Sequence, residues 1–178
     1  MSEEIREAVL AFLPMQSKDL PAVLAIETVS HIHPWTHGNF ADSLAAGHWA
    51  YCIYPQPESD DDSVLKDSDY LNPLTLWAYC ILYPAVDELH LLNITVSPNL
   101  RNLGIGKRIM HNVETVAGEQ GMSRILLEVR PSNLGALKLY ALLGYEQIGV
   151  RKQYYPADSI SGMREDALVM VKSIKLMT

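Results

Sequence analysis

Two clusters of residues in this chain have the types and the spacing for chemistry. The first is Val96-Ser-Pro-Asn-Leu-Arg101-Asn102-Leu103-Gly104-Ile105-Gly106-Lys107-Arg108. Glycines at 104 and 106 let a backbone approach a ligand closely and accept positive φ. An apolar repeat starting at Ile105 predicts a helix opening here. Its free N–H groups and the positive end of its dipole then face whatever the loop holds. Arg101, Lys107 and Arg108 add positive charge, so the parts suit an anion such as phosphate. The spacing is not that of a P-loop. It is not a dinucleotide fingerprint either, because Ile109 stands at the third glycine position. A glycine turn that only opens a helix is the competing reading.

The second cluster is Leu126-Leu-Glu128-Val-Arg130-Pro-Ser-Asn133, with Tyr140 further on. A carboxylate inside a short apolar strand is costly to bury unless it has a task or a partner. Desolvation raises its pKa, which suits a general base working near neutrality. Strand alternation puts Glu128 and Arg130 on one face, so an ion pair between them is the competing reading. Tyr140 falls on the apolar face of the next helix. A core tyrosine is its plain reading, though the hydroxyl then needs a partner.

These residues need elements to hold them. Residues 8–15 read as a first strand. Ser17 and Asp19 start a helix carrying Leu20, Val23, Leu24 and Glu27 at helical spacing, which Pro34 breaks. A second helix covers 37–46 and ends at Gly47. Strands follow at 49–54, 74–83 and 88–96, the last two joined by a hairpin at Pro84-Ala-Val-Asp87. The helix from Ile105 repeats through Ile109, Val113 and Val116 and stops near Gly121. A buried strand at 124–129 leads to a helix capped by Ser132 or Asn133, with Ala136, Leu139, Tyr140 and Leu143 on one face. Gly144 ends it, and strands at 145–155 and 166–174 close the chain. The order βααβββαβαββ makes a mixed α/β sheet.

Composition narrows the function. The 178 residues carry a net charge of −7, and 48% are hydrophobic. That is one ordinary globular domain, 1–178, with no internal repeats and enough chain to bury a core unaided. No apolar run approaches a membrane span, and the acidic start is unlike a secretory signal. Cys52 and Cys80 lie far apart, which argues for a reducing cytoplasm and no disulfide framework. A net acidic chain is no generic nucleic-acid binder. The charge is uneven: residues 1–100 sum to −11 and 101–178 to +4. Residues 58–69 alone carry −5 and read as a solvated acidic insertion within about 55–73. His31, His33 and His37 do not make a metal site, since Pro34 interrupts them and no Cys or acid completes the set. Asn93-Ile-Thr95 has the glycosylation spacing but lies in a predicted core strand. Trp35, Tyr154 and Tyr155 either pack the core or line an acceptor groove.

In this order and spacing the two clusters resemble the GNAT-fold N-acetyltransferases. The loop between the fourth strand and the next helix in that family reads Gln or Arg, then Gly three residues on, then Gly or Ala two further. Arg101, Gly104 and Gly106 match it. The chain looks most like the RimI-type branch, bacterial enzymes that acetylate the N-terminal alanine of a small-subunit ribosomal protein. The resemblance rests on His33-Pro34-Trp35, Leu92 to Val96, Leu127 to Arg130 with Ser132-Asn133, and Leu139-Tyr140 with Leu143-Gly144-Tyr145. Tyr154-Tyr155-Pro156 and Arg164-Glu-Asp-Ala167 complete it, and these two segments are not general features of the fold. It covers roughly residues 17–175, interrupted by the acidic insertion.

The resemblance implies a mixed, mostly antiparallel sheet flanked by helices and splayed at its central parallel strands. It implies Glu128 as general base and Tyr140 as general acid. Ile94, Thr95 and Val96 match the strand that binds the acetyl-pantetheine arm. Asn102, Leu103, Gly104, Ile105, Gly106 and Lys107, preceded by Arg101, match the pyrophosphate loop, and Asn133 matches the asparagine beside the cofactor. The implied cosubstrate is acetyl-CoA without a metal, and the implied partner is the N-terminus of a ribosomal protein. No nucleic acid, membrane or second copy is called for. The longer loop at 55–73 and Pro131, just ahead of the cap, depart from the family pattern. Two other functions fit the same residues: acetylation of lysine side chains or a small amine, and non-catalytic binding of an acyl-CoA.

Overall fold

The computed structural model of the chain describes residues 5–6, 8–56, 76–157 and 162–175. From residue 57 on, the acidic insertion lies outside them. The strands are β1 (Leu10–Pro14), β2 (Trp49–Pro55), β3 (Ala78–Ala85), β4 (Glu88–Val96), β5 (Arg124–Val129), β6 (Glu146–Tyr155) and β7 (Glu165–Ser173). The helices are α1 (Leu20–Ser30), α2 (His37–Ala45), α3 (Ile105–Glu119) and α4 (Leu134–Leu142). The strands form one seven-stranded sheet in the order β1-β2-β3-β4-β5-β7-β6. The element order, helix faces and mixed sheet expected from periodicity are present. The third strand begins at Ala78, later than the apolar run 74–83 suggested, and runs on through Pro84 to Ala85.

The chain groups into two compact units, Met1–Ile81 with Asn93–Gly106 and Leu82–Leu92 with Lys107–Thr178. In the first unit, β1 pairs antiparallel with β2, Leu10 opposite Pro55 and Pro14 opposite Tyr51. Asp19 precedes α1, and its carboxylate accepts the Gln16 N–H at 2.7 Å. Pro21 sits in the first turn of α1, where its missing N–H would be unused. Thr36 caps α2: its hydroxyl oxygen accepts the Asn39 N–H at 3.3 Å while Asn39 Oδ1 accepts the Thr36 N–H at 2.8 Å. Leu20, Val23, Phe40, Cys52, Tyr79 and Ile81 form the core beneath. Each large aliphatic side chain buried this way contributes about 1.5–3 kcal/mol.

In the second unit β4 and β5 are the parallel pair. Their register runs from Glu88 opposite Arg124 to Leu91 opposite Leu127, and each strand continues past its last paired residue. Antiparallel β7 covers the other edge of β5, with Glu128 opposite Val169, and β6 pairs with β7. Ile125, Leu127 and Val129 are buried, while Leu126, Glu128 and Arg130 take the alternate face. On α3, Ile109, Met110, Val113 and Ala117 are buried. Leu134 and Leu142 on α4 face outward, and Tyr140 and Leu143 face in. Among the described residues no helix is long and apolar enough to cross a membrane.

Candidate active site

In the second unit the geometry gathers around Glu128. Its side chain is 28% exposed and ion-paired: Arg151 Nη1 donates to Glu128 Oε1 at 2.5 Å. The sealed, desolvated carboxylate expected from the apolar strand is therefore not what forms. The pairing with Arg130 does not form either. Both residues do share a face, but Arg130 turns to Glu165 at 3.0 Å. The cation on Glu128 comes from β6, reaching past β7. Burial, then Glu128, raises the Tyr154 phenol above its usual value, and the Arg151 guanidinium lies 4.2 Å from the centre of the Tyr154 ring. Burial pushes the Tyr155 phenol up to about 12, and the Glu128 charge adds to it.

Tyr140 is 5% exposed, its ring 5.7 Å from that of Tyr145. Burial raises its phenol well above the usual value, with Tyr155 contributing. A phenol so raised keeps its proton throughout the neutral range, as a proton donor must. Tyr155 thus stands within electrostatic reach of both Glu128 and Tyr140. The structure brings Glu128, Tyr140, Tyr154 and Tyr155 into one neighbourhood.

What aims the two tyrosines is a device that local periodicity missed. The β6–β7 register shifts between Arg151 and Tyr155, and Gln153 there has φ 51. Arg164 and Asp166 hold this bulge, and Glu165 between them holds the turn before α4. Arg164 donates to the carbonyls of Gln153 at 2.6 Å and Tyr154 at 2.8 Å. Asp166 accepts from the Gln153 N–H and from Lys152, both at 2.8 Å. Those two donors, Lys152 first, hold its carboxyl below the usual range. Glu165 accepts from the Ser132 N–H at 2.8 Å, the Ser132 hydroxyl at 3.1 Å and Arg130. Burial alone would raise the Glu165 pKa, but these donors outweigh it and the net shift is downward. Arg130 in turn stacks 4.0 Å above Tyr155. The Arg-Glu-Asp segment therefore clasps the end of β5, the bulge in β6 and the turn into α4. Asn133 caps α4, accepting the Ala136 N–H at 3.1 Å, so Pro131 leaves the cap intact. That contact engages Asn133 Oδ1; Ser132, the other candidate cap, is held by Glu165.

In the first unit the loop 101–104, the expected anion loop, passes twice through left-handed backbone. Asn102 and Gly104 have φ 64 and φ 85, and a Cβ built on Gly104 meets nothing within 4 Å. Alternating left-handed residues turn successive N–H groups to one side, and the start of α3 adds its own. Gly106 differs from expectation: it is the second residue of α3 and helical rather than left-handed. Arg101 Nε donates to the Val96 carbonyl at 3.2 Å, tying the loop to the end of β4. Ile94 and Val96 are half-buried, and Thr95 is buried.

The first unit also holds a buried polar cluster whose acid the sequence had placed only by its spacing. Glu27, 1% exposed on α1, accepts the Trp35 N–H at 2.7 Å and the Tyr79 hydroxyl. Burial, then the Glu27 charge, holds the Tyr79 phenol far above its usual value. His31 Nε2 lies 3.3 Å from Glu27 Oε2 and 2.8 Å from Thr95 Oγ1. Thr95 donates its hydroxyl hydrogen to Asn93 at 3.1 Å, so its oxygen accepts from His31, which places a hydrogen on Nε2. Trp35 packs 5.3 Å from Phe40. A Glu inside the buried stripe of an amphipathic helix was the available signal. Cys52 and Cys80 are buried, and burial pushes both thiols up to about 12, so neither is a nucleophile at neutral pH.

Comparisons with known proteins agree with this architecture. A family described as acetyltransferase (GNAT) matches residues 22–145. The ribosomal protein bS18-alanine N-acetyltransferase of Escherichia coli K12 is 27% identical over 162 residues, covering 91% of this chain and 96% of that protein. The enzyme of the same name from Haemophilus ducreyi is 30% identical over 153 residues, covering 86% and 92%. The crystal structure of the ribosomal-protein-S18-alanine N-acetyltransferase from Escherichia coli superposes with a TM-score of 0.76 at 26% identity, covering 96% of this chain and 97% of that one. With its sheet order, its glycine loop and these matches over most of its length, the chain belongs to the GNAT acetyltransferase family and is an acetyltransferase.

Proposed function

We propose that this enzyme transfers the acetyl group of acetyl-CoA to the α-amino group at a protein N-terminus, the alanine that begins a small-subunit ribosomal protein. Acetyl-CoA supplies the activated acetyl thioester. The residues present suit it: a left-handed cradle at Asn102 and Gly104, the N–H groups opening α3, and the charges of Arg101 and Lys107 fit a pyrophosphate. Leu103, Ile105 and Gly106 complete that loop. The backbone of Ile94, Thr95 and Val96 takes the pantetheine arm, and Asn133 flanks it.

An α-ammonium has a pKa of about 7.7–8.0, so most acceptor molecules are protonated at pH 7 and cannot attack. Glu128, directly or through a water, takes that proton. The amine then attacks the thioester carbonyl in a direct transfer. Tyr140 O–H supplies a proton where the thiolate leaves. Trp35, Tyr154 and Tyr155 line the acceptor's path, and the enzyme works in the cytoplasm where ribosomal proteins are made.

The observation that carries this reading is the clasped bulge at 151–155, which directs Tyr154 and Tyr155 toward Glu128 and Tyr140. An enzyme for small amines needs no such fixed aromatic approach. Relatives that match most of this chain are named for acetylating the alanine of bS18. The test follows thiol release from acetyl-CoA with a peptide beginning in alanine, a peptide with only internal lysine, and no acceptor. Mass spectrometry locates the acetyl group. Release confined to the free alanine N-terminus is expected, and Glu128→Gln should lower it by about 10²–10⁴. Acetylation of internal lysine, or binding of acetyl-CoA without release under any acceptor, defeats the proposal.

A further inference from the structure

Arg151 holds the candidate base in a way the reaction cannot use. A guanidinium does not deprotonate in proteins, so it is neither acceptor nor proton donor here. Yet it takes both features that a cation finds at this place: the Glu128 carboxylate at 2.5 Å and the face of the Tyr154 ring at 4.2 Å. A carboxylate beside an aromatic face is a general recognition site for small cations. The neighbouring cations are committed elsewhere. Arg130 pairs with Glu165, Lys152 with Asp166, and Arg164 binds backbone carbonyls. Arg151 itself is 55% exposed, so its side chain swings out with little loss of packing. The backbone that carries Tyr154 is pinned by Arg164 and Asp166, so it keeps its place when the guanidinium leaves.

We infer that Arg151 is a built-in placeholder for the acceptor's α-ammonium, occupying the Glu128–Tyr154 cation site until a free N-terminus displaces it. The inference rests on Glu128 and Tyr154 facing the acceptor, as proposed above. It assigns Arg151 a positioning and selectivity role, separate from proton transfer. An incoming group must bring a positive charge to replace the one it expels. An uncharged N-terminus, such as the acetylated product, cannot do so and is released when the guanidinium returns.

The test is equilibrium binding to the enzyme–CoA complex of two peptides identical but for the N-terminus, one with a free alanine amine and one acetylated. Exposed ion pairs are weak, so Arg151→Gln should tighten the free-amine peptide by about twofold to fivefold and leave the acetylated peptide unchanged. In a Glu128→Gln background the same substitution should have no effect on either peptide. Weaker or unchanged binding of the free-amine peptide overturns the inference, as does an equal shift for both peptides. Turnover of Glu128→Gln is read separately. Retained turnover there removes Glu128 as base, whereas the binding data judge Arg151 alone.

Discussion

Removing one acceptor from the Glu27 cluster should unfold the protein several degrees early. Glu27 offers two oxygens: Oε1 takes the Trp35 N–H, and Oε2 takes the Tyr79 hydroxyl with His31 Nε2 3.3 Å away. Glu27→Gln keeps the volume but leaves one oxygen. The Trp35 N–H can only donate, so the amide must turn its oxygen there and its NH₂ toward Tyr79. An NH₂ cannot accept the Tyr79 hydroxyl hydrogen, which in the parent goes to Glu27. That hydrogen is then stranded in a buried site. A stranded buried donor costs about 1–3 kcal/mol. At about 2–4 °C per kcal/mol for a chain of this size, the melting temperature should fall by about 2–12 °C.

Tyr79→Phe removes the other half of the same bond and should cost a similar amount. Because both changes delete one interaction, the double variant should be less destabilised than the two single losses added, by more than about 1 kcal/mol. Thermal and urea unfolding of the four proteins measures this. A Glu27→Gln melting temperature within 1 °C of the parent, or strict additivity, refutes the reasoning. Glu27→Ala strands the Trp35 N–H as well and opens a cavity, so its loss should reach about 3–5 kcal/mol.

The remaining expectations concern the loop, the clasp and the acid. Gly104→Ala meets no steric obstacle, but alanine at φ 85 costs about 1–2 kcal/mol. Its KM for acetyl-CoA should rise while peptide KM holds, measured by initial rates. Glu165 and Asp166 titrate below their usual values in the fold, so their stabilisation is complete above about pH 5 and is lost as pH falls through the depressed values. Acid unfolding followed by circular dichroism should be shallower in Glu165→Gln than in the parent. Tyr140 is raised, so kcat should show no alkaline limb from it below about pH 10, and Tyr140→Phe should lower kcat throughout.

Much of the fold was legible because it rests on local periods. Ile105, Ile109 and Val113 mark the buried face of α3, and alternation in Arg124–Val129 puts Glu128 and Arg130 side by side on one face. Alternation could not supply their partners. Those come from Arg151 and Glu165, on strands whose register is fixed by tertiary pairing. The bulge at 151–155 was hidden for the same reason. Nothing within that segment marks it, and the groups that hold it, Arg164 and Asp166, lie beyond the hairpin. Gly106 shows the opposite limit, since glycine permits positive φ without requiring it.

The segment Arg164-Glu165-Asp166 explains how a general fold can be made particular. The three side chains alternate in direction along the start of the strand, so adjacent residues serve different neighbours. Arg164 and Asp166 both bind the β6 bulge, and Glu165 binds the turn before α4. On the roles proposed above, a change at Arg164 or Asp166 acts first on the backbone that carries Tyr154 and Tyr155. If the proposed roles hold, acceptor choice and acetyl-CoA binding should be separable. Substitutions at 164 and 166 should appear in peptide KM and those at 101–104 in acetyl-CoA KM. A substitution at Arg164 that raised acetyl-CoA KM alone would show this division to be wrong.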